Sequence, residues 1–291
     1  KSASMNDYTN CNVIINGSEG FVGSFLKNQF SNLGISFQCA DIKLYKTIND
    51  CKRDSEKLNF LVHLAAYISP IDSFDSPGEY YKNNINSLIE SLEWCRINNA
   101  KIIFFSSYVY GENASTPTSE KEKTKGHNPY SQTKLIGENL CHSYQRDFNV
   151  PFIIFRPFNV YGSGQSNQFV ISSIFDQINR GLTEIKIQNP YPKRDFIYIK
   201  DVSEAVSLAI KNDVCNEVFN LCSGTNYSIR EVCEIIKSIS QENIEFIFNE
   251  NFERKGDVSI TLGNYSKISS ALGWEPKYSL ERGINEIYSS K

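Results

Sequence analysis

Short, largely apolar runs alternate with stretches of helical periodicity through the first half of the chain. Cys11-Asn-Val-Ile-Ile15, Ile35 to Ala40, Phe60-Leu-Val-His-Leu64, Lys101-Ile-Ile-Phe-Phe105 and Pro151 to Phe155 read as strands. Between them lie the helical stretches Phe21 to Leu33, 79–97 and 131–147; in the second, Tyr81, Ile85, Leu88, Leu92 and Cys95 share one face. Each run is too brief to be part of a half-exposed hairpin. They call for a parallel sheet buried on both faces by helices, the doubly wound α/β arrangement.

The texture changes after Gly162. Residues 163–193 and 225–291 are more polar and less regular, and helices are expected near 168–180, 201–211, 228–239 and 264–271. The expected organisation is a sheet domain from residues 11–162 plus 194–222 and a smaller lobe from 163–193 plus 223–291. A chain of 291 residues is long enough to bury a sizeable core in this way.

Charge excludes some partners. Lys and Arg total 30 against 33 Asp and Glu, so no basic field points to nucleic acid or to an anionic membrane. The longest apolar stretches are too short to span a bilayer, and no charged-then-apolar leader opens the sequence. Lys1 to Met5 read as a remnant ahead of a native start, and the residues before Cys11 are set aside. Eight scattered cysteines without a Cys-x-x-Cys pair, and three dispersed histidines, argue against a disulfide scaffold and against a metal site. Reduced cysteines in a cytoplasmic protein are the expectation.

Gly17-Ser-Glu-Gly20-Phe-Val-Gly23 falls between the first strand and the first helix. In that context Gly17 permits the tight turn, Gly20 lets backbone approach a pyrophosphate, and Gly23 allows the helix to pack closely on the strand. The helix amino terminus then presents free N–H groups to the anion. Asp41, at the end of the second strand, is placed to accept hydrogen bonds from both adenosine ribose hydroxyls. A 2′-phosphate there meets a like charge, with Glu19 adding a second, so NAD is favoured over NADP.

Tyr130-Ser-Gln-Thr-Lys134 opens a helix, and the i, i+4 spacing sets phenol and ammonium one turn apart on one face. A free tyrosine is a poor base at neutral pH. The neighbouring ammonium and the positive charge of oxidised nicotinamide are expected to lower its pKa, so that Tyr130 exchanges a proton with a sugar hydroxyl. Lys134 also suits the nicotinamide ribose. Ser106, just after a buried strand, is expected to donate to the reacting oxygen.

Several stretches in order resemble the extended short-chain dehydrogenases that act on nucleotide sugars, the NAD-dependent epimerase/dehydratase family with a Rossmann domain. They are Asn16-Gly-Ser-Glu-Gly-Phe-Val-Gly23, His63-Leu-Ala-Ala66, Asn84-Ile-Asn-Ser-Leu88, Ser106-Ser-Tyr-Val-Tyr-Gly111 and Asn128-Pro-Tyr-Ser-Gln-Thr-Lys134. Arg156-Pro-Phe-Asn-Val-Tyr-Gly162, Arg194-Asp-Phe-Ile-Tyr-Ile-Lys-Asp201 and Arg254-Lys-Gly-Asp257 follow. The resemblance runs from Asn12 to Ser279. It implies a catalytic trio of Ser106, Tyr130 and Lys134. It places NAD on Gly17, Gly20, Phe21, Val22, Gly23, Asp41 and Lys134, with Leu64, Ala65 and Ala66 along the cofactor cleft. It also implies a nucleotide-diphosphate sugar held by Asn159, Arg194 and Arg254, the guanidinium fork suiting a diphosphate. A homodimer through helices 79–97 and 131–147 is implied as well.

Departures from the family pattern narrow the reaction. Dehydratases of the family carry an acid just before the Val/Leu-Tyr-Gly, where this chain has Ser107 and Tyr108, which argues against 4,6-dehydration and leaves redox at C4 of the sugar. A 4-epimerase working through a 4-keto intermediate on held NAD is the first expectation. A reductase of a nucleotide 4-keto-6-deoxyhexose is the alternative, because Asp41 lies too near the Leu61-Val-His63 strand for the usual third strand and the segment from Gly162 to Arg194 is brief. A non-catalytic NAD-binding module is the third reading.

Overall fold

The computed structural model describes residues 8, 10–112, 114–212, 214–252 and 255–290. In chain order its elements are β1 Cys11–Asn16, α1 Phe21–Leu33, β2 Ser36–Ala40, β3 Leu58–His63, α2 Asp72–Asp75, α3 Pro77–Asn98, β4 Lys101–Phe105 and α4 Pro129–Phe148. They continue with β5 Phe152–Pro157, β6 Asn159–Tyr161, α5 Val170–Asn179, β7 Glu184–Ile187, β8 Lys193–Arg194, β9 Phe196–Tyr198 and α6 Ile199–Lys211. The chain closes with β10 Glu217–Leu221, β11 Tyr227–Ser228, α7 Ile229–Ser240, β12 Glu245–Phe248, α8 Ser266–Leu272 and α9 Leu280–Ser289.

Two compact units result. The first comprises residues 1–109, 124–156 and 203–219, the second 110–123, 157–202 and 220–291. The first carries the six-stranded sheet β10-β5-β4-β3-β1-β2, in which β2, β1, β3, β4 and β5 pair in parallel. Every residue of β1 except Asn16, and every residue of β3 except Leu58, is buried. Apolar residues on both faces of each strand produce this, because a strand covered on both sides has no face to give to water. Strand order reverses at β1, whose neighbours are β2 on one side and β3 on the other. In open α/β sheets such a reversal leaves a ligand crevice at the carboxyl ends of the strands.

β2 is an edge strand. The short connection after Asp41 forms two 3-10 turns, Ile42–Leu44 and Ile48–Asp50, where a third strand and its helix are usual. The shortened region read from the sequence therefore matches the fold.

The second unit is built differently. Its strands form two-stranded pieces, β11-β8, β12-β7 and β6-β9, and its helices α7 and α9 bury Val232, Cys233, Ile236, Ile284 and Ile287. The boundaries differ from the expected ones. Residues 110–123, 157–162, 194–202 and 220–222 belong to this unit, because local pairing holds them there. Tyr110 Oη donates to Asn220 Oδ1 at 2.5 Å, Asn220 Nδ2 donates to the Thr118 carbonyl, and β6 pairs with β9. Among the described residues no helix is long and apolar enough to cross a membrane.

Candidate active site

The glycine turn of the first unit joins β1 to α1 at the strand-order reversal. Gly17 has φ +88°, and a Cβ on it would stand 2.8 Å from the Ala65 nitrogen, so only glycine allows the turn to lie against the end of β3. A Cβ on Gly23 would lie 2.5 Å from the Gly17 carbonyl oxygen, so the first turn of α1 packs directly on the loop. Leu64 continues the register, its N–H donating to the Asn16 carbonyl at 2.8 Å, and Ser87 Oγ donates to the Ala65 carbonyl at 3.2 Å. No acidic residue occupies the first turn of α1, which holds Phe21, Val22 and Gly23, and its amino terminus keeps its positive end for an anion.

Asp41 faces this turn. One carboxylate oxygen accepts the Glu19 N–H and the other the Lys43 N–H, each at 2.9 Å. A carboxylate offers about four acceptor positions, so two remain for a pair of ribose hydroxyls. Glu19 contributes less than its charge suggests, because the Lys27 ammonium sits 2.5 Å from its carboxylate.

Tyr130 and Lys134 stand on the first turns of α4. Asn128 and Ser131 form a reciprocal capping box and Pro129 occupies the first helical position, so the helix start is fixed on both sides of Tyr130. Asn84 of α3 pins the neighbourhood. Its Nδ2 donates to Thr133 Oγ1 at 3.0 Å and to the Tyr67 carbonyl at 3.1 Å, while its Oδ1 accepts the Tyr67 N–H at 2.8 Å. The Lys134 ammonium is buried, donates to the Phe105 carbonyl at 2.8 Å and lies 5.8 Å from the Tyr130 ring centroid.

Two expectations change here. Ser106 does not face the phenol. Its hydroxyl donates to Glu138 Oε1 at 2.6 Å, and Glu138 is gripped at both oxygens by Arg156, at 2.9 and 2.6 Å. All three are buried. It is the Ser107 hydroxyl that hydrogen-bonds to Tyr130, in a contact that favours the phenolate. Successive side chains leaving a strand point to opposite sides, so one of two adjacent serines turns to the buried carboxylate and the other to the phenol.

The second change concerns acidity. Burial pushes Tyr130 up to about 12, and burial pushes Lys134 down to about 8. The expected lowering of the phenol by the ammonium is not what this structure has: desolvation of the phenolate is the larger effect. Tyr130 thus stands protonated at neutral pH in the ligand-free protein.

The expected substrate residues lie in the second unit. Asn159 Nδ2 donates to the Asp195 carbonyl and to Thr261 Oγ1, both at 3.2 Å. The Arg194 guanidinium is ion-paired with Asp257 at 2.8 Å and also donates to the Lys193 and Ser259 carbonyls. Arg254 lies outside the described residues. Sequence reasoning missed Asp195, the fully buried carboxylate that collects the N–H groups of Ser223, Gly224 and Gly263 and the Ser223 hydroxyl. It also missed Glu138. Its place one helical turn beyond Lys134, opposite a strand-borne Arg156, was the available signal.

Known proteins share this architecture. The family model described as GDP-mannose 4,6 dehydratase matches residues 35–287. The GDP-6-deoxy-D-mannose reductase of Pseudomonas aeruginosa is 27% identical over 239 residues, covering 79% of each chain. A putative UDP-glucose 4-epimerase of Methanocaldococcus jannaschii is 30% identical over 301 residues, covering 94% of this chain and 96% of its own. The crystal structure of the UDP-glucose 4-epimerase of Thermotoga maritima with UDP-glucose superposes with a TM-score of 0.85 at 27% identity, covering 96% of this chain and 99% of that one. With most of its length matched in this way, the chain belongs to the GDP-mannose 4,6 dehydratase family, within the extended short-chain dehydrogenases known as the NAD-dependent epimerase/dehydratase family.

Proposed function

We propose that this protein transfers a hydride at C4 of a nucleotide-linked hexose, as a 4-epimerase that oxidises and re-reduces that carbon. The observation that carries this is the meeting of Ser107, Tyr130 and Lys134 at the ends of β4 and the start of α4, in a unit whose glycine turn is shaped for a dinucleotide. Bound NAD(H) supplies the hydride acceptor and donor. The glycine turn suits its pyrophosphate, with Phe21 and Val22 opening the helix behind it, and Asp41 has acceptor positions for the adenosine ribose. Leu64, Ala65 and Ala66 follow β3 and line the same crevice.

Tyr130 Oη moves the proton of the C4 oxygen, and Ser107 Oγ holds that oxygen and the phenol together. The Lys134 ammonium spends one of its three N–H donors on the Phe105 carbonyl and keeps two for a ribose. A phenol with a raised pKa must first release its own proton to solvent, which positive charge brought by the oxidised cofactor would favour, and the phenolate can then take the proton of the C4 oxygen. In the second unit, Arg194 and Arg254 are assigned to the diphosphate and nucleoside and Asn159 to the sugar. Arg194 exchanges Asp257 for the incoming anion. Self-association through α3 and α4 belongs to the same reading.

A reductase of a nucleotide 4-keto-6-deoxyhexose is the second reading, favoured by two observations. Tyr130 keeps its proton in the ligand-free protein, which suits donation to a ketone, and β2 is left as the edge of the sheet. The test uses UDP-glucose and UDP-galactose without added cofactor, and GDP-4-keto-6-deoxymannose with NADH. Interconversion of the C4 epimers supports the first reading. Steady NADH oxidation with no epimer exchange replaces it with the second, and neither activity removes both.

A further inference from the structure

We propose that Phe104 is a positioning residue for Lys134: its ring, seated against Gly137 and backed by His63, fixes the ammonium at the Phe105 carbonyl beside Tyr130. This rests on the role given to Lys134 above and extends it to a residue that acts through the lysine.

A lysine side chain has four rotatable bonds, and a single carbonyl acceptor does not define where its head points. The second constraint is the face of Phe104. The Lys134 Nζ lies 5.2 Å from that ring centroid, within the range where the negative face of an aromatic ring attracts a cation. Phe104 precedes Phe105 on β4, so one strand end supplies both the ring and the carbonyl.

The ring has no room to move away. A Cβ on Gly137, three residues beyond Lys134 on α4, would lie 2.5 Å from Phe104 Cζ and 3.0 Å from Cε1. Glycine at 137 therefore lets the ring press against the helix backbone. His63, which pairs with Phe104 across β3 and β4, stacks on the ring, with centroids 6.0 Å apart and planes 30° from parallel. His63 is itself tied by Nδ1 to Ser91 Oγ at 2.8 Å and approached by Asn16 Nδ2 at 3.4 Å.

The charges around the ammonium agree with this. His63 on β3 stays neutral, its pKa lowered to about 3 by burial and by the Lys134 charge. Tyr130 on α4 is a neutral phenol. Glu138, one turn further along α4, is committed to Arg156 of β5 and to Ser106.

The test is an NMR titration of protein carrying lysine labelled with 13C at Cε, with the Lys134 resonance identified by its loss in Lys134→Arg. Losing the ring face in Phe104→Leu removes an attraction felt only by the ammonium. The Lys134 pKa should therefore fall by about half a unit to one unit. The alkaline limb of kcat should move down by the same amount. Replacing Phe104 with 3,5-difluorophenylalanine preserves the shape and weakens the ring face, and should give a smaller shift in the same direction. An unchanged Lys134 pKa in both variants, with lower thermal stability alone, makes the ring core filling and overturns the proposal. Because the pKa is read without substrate, it is separate from the C4 chemistry. A shifted Lys134 together with full turnover in Lys134→Met would keep the positioning role and reject the reaction assigned to the lysine.

Discussion

The first unit buries a neutral histidine and a carboxylate paired with an arginine, whereas the second buries a carboxylate among neutral donors. His63 is held uncharged by burial, and Glu138 is neutralised by Arg156. Asp195 instead relies on three backbone N–H groups and one hydroxyl, and burial still pushes its pKa up. The difference teaches where each unit is vulnerable. One is sensitive to added protons and lost partners, the other to the geometry of loops gathered around one side chain.

Opposite pH responses are the largest consequence. The folded state holds His63 at about 3 against an ordinary 6.5, so the unfolded chain takes up the proton first. Stability is then lost as pH falls from 6.5 towards 3, by about 5 kcal/mol at most, and levels off below that. Asp195 has the reverse sign: its raised pKa makes the folded state hold the proton longer, so its contribution declines as pH rises above the ordinary carboxylate range. Calorimetry between pH 7 and pH 4 should show the first unit weakening with acid, and His63→Gln should flatten that slope. An unchanged slope would break the comparison.

Partner loss comes next. Glu138→Ala leaves Arg156 buried without its counter-charge and should cost about 3–5 kcal/mol in urea unfolding. Asp195→Asn keeps one acceptor and sets an amide against the N–H groups, and should cost about 1–3 kcal/mol. The reverse ranking would mean that the neutral donors around Asp195 matter more than the ion pair.

The adjacent serines give the smallest effect and the finest test. Ser107→Ala should lower kcat by about 10–100-fold with NAD affinity unchanged, since it removes the hydroxyl that hydrogen-bonds to the Tyr130 phenol. Ser106→Ala leaves the Glu138–Arg156 pair intact, and should cost about 1 kcal/mol of stability with a much smaller change in kcat. If the catalytic loss falls on Ser106 instead, the side-chain directions at the end of β4 have been misassigned.

Much of the first unit was legible before the structure. Largely apolar strands, the glycine turn and the tyrosine–lysine spacing are local patterns, and local geometry decides them. The missing third strand was legible too, as a short count of residues after Asp41. The choice between Ser106 and Ser107 depended on the direction in which β4 ends, which the sequence leaves open where a strand runs into a loop. The acidity of Tyr130 was misjudged because burial depends on what packs around the phenol. In the second unit Asp195 meets residues 28 and 68 positions away, a separation that no periodicity reports. Helix α9 was overlooked although Leu280, Ile284 and Ile287 recur at helical spacing and are buried.

The central claim is that the Tyr130 hydroxyl carries the proton when hydride moves at C4. Tyr130→Phe removes that one oxygen, and the direct measurement is its turnover of the nucleotide sugar beside its NAD affinity. A fall in turnover of about 100-fold to 10,000-fold with NAD affinity unchanged is the predicted result. Turnover equal to that of the unaltered protein would contradict the account.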